Sequence, residues 1–241
     1  MNALGNIESL AFYGPELGLI GAFLAVICWD LFMKERRPKV LGAVAITLVG
    51  LAFSAGSSIS FLVADMPREN LFNGLLAFDE FTHTFRILFA LVGGIILIFA
   101  MPPYLNATTD AGDKRNPAEL LALMLTIVLG MNMMAASRHL LMIYISLEMV
   151  SIISFVLAGF KIGDRKSSEG ALKYVIYGGV ASGVMLYGMS WIYGATHSLH
   201  LGEIFAATSA MATVQGKVPE AVFVGVVCML AGFGYKISAA P

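Results

Sequence analysis

"LLMIYISLEMVSIISFVLAGF", residues Leu140–Phe160, is an apolar run with a single carboxylate, Glu148, near its middle. An apolar stretch of about 20 residues is the length that crosses the hydrocarbon core of a bilayer as a helix. At about 1.5 Å per residue, Glu148 lies more than ~12 Å from either end of such a helix. That is too far for a glutamate to reach the interface. An acid at mid-membrane costs about 2.5–3.5 kcal/mol on insertion scales, and intramembrane charge is where function usually shows. Tyr144 at i−4 and Ser151 at i+3 share its helix face. A structural reading has a protonated glutamic acid bonding to a neighbouring helix. The functional reading has a carboxyl that binds and releases a proton as a partner cation comes and goes.

Outward from this run the whole chain has the same character. It is 241 residues long, 58% hydrophobic and only 13% charged, with a mean hydropathy of +0.81. A soluble domain carries about 25% charged residues. Seven apolar spans are expected, at Glu16–Met33, Val40–Ala64, Thr84–Met101, Glu119–Ala136, His139–Phe160, Gly170–Thr196 and Pro219–Pro241. The fold class is therefore an all-α polytopic membrane protein, because backbone groups in lipid must bond internally and no alternating strand pattern points to a barrel. No soluble domain is expected between the spans. "HLGEIFAAT", His200–Thr208, reads as a short interfacial turn of helix. Gly179 and Gly183 fit close helix packing.

The net charge of −1 and the absence of a basic domain argue against a nucleic-acid partner. Cys28 and Cys228 sit in apolar runs and read as small hydrophobes, with no disulfide and no cysteine metal site. The N-terminus has no basic segment or cleavage site and reads as an uncleaved first helix. The chain stops at "GFGYKISAAP" with no polar tail, as a fragment would.

Loop charge sets an expected orientation. Lys34, Arg36, Arg37, Lys39, Lys114, Arg115, Lys161, Arg165 and Lys166 fall on one side, against Arg68, Arg138 and Lys217 on the other. The first side is expected in the cytoplasm, with the N-terminus outside. The remaining basic residues, Arg86, Lys173 and Lys236, lie in or at the ends of spans. Lys173 has Glu169 at i−4, so an ordinary helix-end pair competes with a role beside Glu148. Lys236 follows Gly232 and Gly234 and precedes Pro241, the pattern of an interrupted helix that exposes backbone to an ion. Asp79, Glu80, His83 and Arg86 read as a solvated helix extension outside the membrane, and Asp30 with Lys34 as a helix-end pair. His139, His197 and His200 fall at span edges, so no haem is expected. No phosphate-binding loop, GxSxG or CxxC occurs.

The Leu140–Phe160 run, followed by "SSEGALKYVIYGGVASGVMLYGMSWIYGATHSL" and then "LAGFGYKISAAP", resembles subunit N of proton-pumping NADH:quinone oxidoreductase (respiratory complex I), an antiporter-like membrane subunit. The resemblance covers Asn116–Pro241, and the first three spans match in number and hydropathy. It implies the N-terminal half of a subunit of about 14 helices with inverted repeats. Residues 1–115 would be the three leading helices, and 116–241 four of the five helices of the first repeat. It also implies roles: Glu148 matches the fifth-helix glutamate, Lys236 its lysine partner on a broken seventh helix, and Lys173 the sixth-helix lysine. The implied function is proton translocation coupled to quinone reduction by NADH, in the inner membrane of a bacterium, alongside other complex I membrane subunits. No cofactor is implied in this subunit, whereas the complex would use NADH, FMN, iron–sulfur clusters and quinone. The alternatives are a subunit of a multi-subunit Na+/H+ antiporter or energy-converting hydrogenase, or a purely structural membrane subunit.

Overall fold

The structure is a computed structural model that describes residues 4–33, 35–64, 69–101, 116–161 and 163–238. Among these residues it contains nine α-helices and one β-hairpin. The helices are α1 (Asn6–Leu10), α2 (Gly14–Phe32), α3 (Arg36–Val63), α4 (Glu80–Ala100), α5 (Pro117–Ala136), α6 (Leu140–Ala158), α7 (Arg165–Thr196), α8 (Leu201–Gln215) and α9 (Glu220–Lys236). Helices α2 to α7 are each long and apolar enough to cross a membrane, so the chain is a multi-pass membrane protein. The seventh expected span forms α9, which is 17 residues long and ends at Lys236. Lys34, Arg68, Lys114, Arg115 and Pro241, the boundary at 115/116, and the side chains of Arg36 and Arg37 lie outside the described residues.

Helix starts follow local chemistry. Asp79 caps α4 by accepting from the Thr82 N–H. Asn116 caps α5 just before Pro117, which needs no amide partner in the first turn. Asp164 caps α7 through the Lys166 N–H. Apolar side chains such as Leu31, Phe99 and Val180 remain exposed around the bundle, where lipid replaces water.

Two cores form. Helices α2, α3, α4 and α5 pack around Leu19, Val26, Leu51, Leu97, Leu121, Leu125 and Val128. Helices α6, α7 and α9 pack around Leu140, Met185, Met189, Ile192 and Met229. Helix α5 joins them: a methyl group on Gly130 would meet Val150 at 2.8 Å and Met149 at 3.0 Å.

Two expectations are corrected, and one element is added to the expected helices. A hairpin, β1 (Glu69–Leu71) with β2 (Leu76–Phe78), stands between α3 and α4 in antiparallel register. Its turn places Phe72, Asn73 and Gly74 at positive φ. Leu71, Leu76 and Phe78 are buried with Ala136, closing one end of the bundle. The segment read as a short interfacial turn is the 15-residue helix α8. Gly179 and Gly183 have open space where a side chain would stand, so they pack against nothing among the described residues. The close approach is elsewhere, between Gly188 of α7 and Gly225 of α9. A Cβ on Gly188 would lie 2.5 Å from the Gly225 carbonyl oxygen, and one on Gly225 would lie 2.7 Å from that of Gly188. Cys28 and Cys228 are both free.

Gly188→Ala should therefore force α7 and α9 apart and destabilise the protein by about 1–3 kcal/mol. Thermal unfolding in detergent should show a lowered midpoint for this variant and an unchanged one for Gly183→Ala.

Candidate functional site

Helices α6, α7 and α9 bring four polar side chains together inside the second bundle. Lys236 Nζ donates to Glu148 Oε1 at 2.5 Å and to Ser151 Oγ at 2.8 Å. Ser182 of α7 donates to the same Glu148 oxygen. The Lys236 side chain is 8% exposed and that of Glu148 20%. Ser151 gives its own proton to the Leu147 carbonyl at 2.8 Å, which leaves its lone pairs free to accept from the ammonium. Ser182 also lies 2.9 Å from the Gly178 carbonyl oxygen. Its one proton can serve either acceptor but not both.

Depth follows from the α7–α9 packing. Gly225 meets Gly188, and Gly232 meets Ala181 and Met185, so the two helices run antiparallel. Lys236, one turn beyond Gly232, arrives level with Gly178. That position is about 20 Å along α7 from its start at Arg165, and Glu148 stands in the middle of the 19-residue span α6. Helix α9 ends here, with Ile237 as its C-cap and Ser238 in the left-handed region at φ 55°. Carbonyls left open at a helix C-terminus favour a cation in the last turn, and Lys236 occupies that place. A cavity of 220 Å³ borders the lysine, lined in part by Ser151, Ser154, Tyr174 and Tyr235. It has room for several water molecules beside the pair.

Lys173 is placed differently. It pairs with Glu169 at 2.6 Å on the exposed face of α7, with 66% of its side chain accessible. It stands nine residues, about 13 Å, along α7 from Ser182. Tyr144 packs into the second hydrophobic core. His139 and His200 face each other edge-on with ring centres 4.7 Å apart. Burial holds His139 below its ordinary pKa, as does the adjacent His200, while Glu203 opposes. Among the described residues no three His, Cys, Asp or Glu side chains converge as a metal site would need.

A second ionic cluster overturns the reading of His83 and Arg86 as solvated. Arg86 of α4 lies 2.7 Å from Glu16 of α2, and both side chains are at most 1% exposed. Arg86 Nη1 also reaches His83 Nδ1 at 3.2 Å. Asp79 does sit at the membrane edge, where it pairs with Arg138 at 3.3 Å. Asp30 pairs with Lys39 at 2.9 Å and accepts from the Asn116 amide at 3.0 Å, while its expected partner Lys34 lies outside the described residues. Sequence reading missed Ser182 and Glu16. A serine in an apolar run carries no signal of its own, and Glu16 reads as an ordinary first-turn acid.

Burial alone would raise the Asp79 pKa, but hydrogen bonds from Thr82 and the neighbouring Arg138 outweigh it and hold the carboxyl below its usual range. A depressed carboxylate adds stability above its unfolded pKa, about 3.9, and loses it as pH falls through the folded value. Asp79→Ala should cost about 1 kcal/mol at neutral pH, the worth of a helix cap. The gap between wild type and variant should close below about pH 4, read as thermal midpoints across pH.

Residues 137–241 match the family model described as NADH:quinone oxidoreductase/Mrp antiporter, TM. The chain is 57% identical over 238 residues to NADH-quinone oxidoreductase subunit N 2 of Sorangium cellulosum, covering 99% of this chain and 47% of that protein. It is 42% identical over 244 residues to NADH-quinone oxidoreductase subunit N of an Anaeromyxobacter species, covering 98% and 45%. It spans about half the length of the curated relatives it matches. Two solved structures share the fold. A chain of respiratory complex I from Thermus thermophilus with bound aureothin gives a TM-score of 0.68 at 24% identity, covering 92% of this chain and 43% of that one. A chain of the membrane-bound sulfane sulfur reductase, an archaeal respiratory membrane complex, gives 0.69 at 21%, covering 94% and 44%.

Proposed function

We propose that this chain, whose residues 137–241 match the NADH:quinone oxidoreductase/Mrp antiporter transmembrane family model, acts in the membrane arm of an NADH:quinone oxidoreductase and translocates protons. The observation that carries the proposal is the Lys236–Glu148 pair at the end of α9, bonded at 2.5 Å deep in the bilayer. The identity to two subunit N proteins supports this setting over an antiporter or a hydrogenase.

The pair is suited to the task. Removing one partner from a buried ion pair costs about 3–5 kcal/mol, because the other is left uncompensated. Moving one proton against 150–200 mV costs a comparable amount, at about 2.3 kcal/mol per 100 mV. When Glu148 withdraws, Lys236 gives up its proton toward the adjacent cavity. When the carboxylate returns, Lys236 is recharged. Ser182 turns its hydroxyl to the Gly178 carbonyl while the carboxylate is away, and Ser151 keeps the lysine in register. The subunit supplies no redox group in this scheme. Quinone reduction by NADH takes place elsewhere in the complex and drives the pair electrostatically.

Lys173 serves as a further proton-carrying residue on the outer face of α7, reached when a neighbouring subunit or segment covers that face. The ends of helices bearing Lys39, Lys161, Arg165 and Lys166 lie opposite the hairpin. By the positive-inside rule they face the cytoplasm of a bacterium, which places the hairpin outside.

Glu148→Gln should lower NADH-driven proton uptake into inverted membrane vesicles at least several-fold, while the complex still assembles on native gels. Wild-type pumping by this variant would sink the proposal, and loss of assembly with normal pumping per assembled complex would favour a purely structural role. Lys173→Ala should lower pumping less, and no change would remove Lys173 from the pathway. Dependence of transport on sodium would point to the antiporter reading instead.

A further inference from the structure

The first bundle buries a layer of polar side chains that takes no part in the Lys236–Glu148 pair. Its depth can be read from one contact. A Cβ on Gly93 of α4 would touch Val128 of α5 at 3.2 Å and Leu51 of α3 at 3.4 Å, so these three positions are level. Toward the hairpin from that level stand Asn132, one turn beyond Val128, and Ser54, three residues beyond Leu51. Arg86 and His83 lie seven and ten residues from Gly93 in the same direction, with Thr82 beside them. Rings of Phe61 and Phe78 flank His83, at 5.3 and 4.5 Å between centres, and mark the hairpin end of the layer. Glu16 enters from the first turn of α2 and is held by Arg86.

Every one of these polar side chains is at most 3% exposed. Yet nine of their atoms have no aligned hydrogen-bond partner: both Glu16 oxygens, Ser54 Oγ, Thr82 Oγ1, His83 Nε2, Arg86 Nε and Nη2, and both terminal atoms of Asn132. Two of the nine, Arg86 Nη2 and Glu16 Oε1, face each other as an ion pair at 2.7 Å, which leaves seven with no polar partner of their own. Buried polar atoms in native proteins are almost always bonded to protein or to ordered water, and lipid offers no substitute. Arginine can only donate, so His83 Nδ1 accepts from Arg86. His83 Nε2 then carries the proton and is a buried donor with nothing to receive it.

We propose that this layer is a sealed water-binding site, in which bound water bridges the Glu16–Arg86 pair and His83 to Ser54, Thr82 and Asn132. The donors and acceptors are mixed: carboxylate, hydroxyl and amide oxygens accept, while guanidinium, imidazole and amide nitrogens donate. Water satisfies both kinds. A metal cation would gain the oxygens but meet the guanidinium, so the arginine selects water over sodium. Two to four polar partners hold a buried water, and this layer offers that many to more than one molecule.

The test is hydroxyl-radical footprinting of the protein in lipid nanodiscs by millisecond X-ray exposure. Internal water yields radicals in place, so a side chain that bulk solvent cannot reach is oxidised only where water stands beside it. Corrected for intrinsic reactivity, His83 and Phe78 should oxidise at least tenfold faster than Leu71, which is equally buried at the same end of the bundle. Equal rates at the three residues would overturn the proposal. Asn132→Leu should cut the His83 rate at least threefold while Met185, in the other core, keeps its low rate. An unchanged His83 rate beside a low Met185 rate would also overturn it. If Asn132→Leu opens the whole core and all rates rise together, Ser54→Ala takes its place with the same expectation at His83 and the same overturning result.

Discussion

A charge inside a bilayer has no solvent to fall back on, and the second bundle is arranged around that fact. Lys236 donates to Glu148 and Ser151, and Glu148 accepts from Lys236 and Ser182, so that removing either charged partner would leave the other uncompensated. The helix end at Lys236 adds open backbone carbonyls to the same spot. Close packing of α7 on α9 is what delivers the lysine there, so the glycines of the interface and the charges of the site are one design. The apolar surface facing lipid imposes little beyond length and hydropathy.

Much of this was readable from the chain. Apolar runs of bilayer length located α2 to α7, because in lipid a helix is the one element that satisfies its own backbone within a single segment. Glu148 stood out because an acid in such a run has no inexpensive explanation. Lys236 stood out for the glycines before it, and its partnership with Glu148 was legible through the family resemblance; the residues alone do not pair positions 88 apart.

What escaped is instructive in the same terms. The hairpin strands are three residues each, too short for a period-two pattern to register. Ser182 is invisible because a serine in a helix can bond its own backbone and costs little in an apolar run. His83 and Arg86 follow Asp79 and Glu80, and a cluster of mixed charge at a helix start reads as solvated. Only the fold shows that Asp79 stops at the edge with Arg138, while Arg86, two turns further in, meets Glu16 from a helix 70 residues away in sequence. Gly179 and Gly183 carried the familiar small-residue spacing, but the face that α9 uses is the one with Gly188.

The two glycine contacts between α7 and α9 also bear on time. A helix clasped at Gly225 and again at Gly232 cannot tilt without parting backbone from backbone, and collective helix motions of that sort run on microseconds to milliseconds. Beyond the second clasp the described part of α9 runs one further turn, to Lys236. The freedom left at the site is torsional: the four-carbon stem of Lys236, the Glu148 side chain and one hydroxyl rotor. Such rotations take picoseconds to nanoseconds where side chains are free, and remain faster than helix movement when packed. Rotation of these side chains is then the fast element of the pair, and any movement of the helices that carry them the slow one.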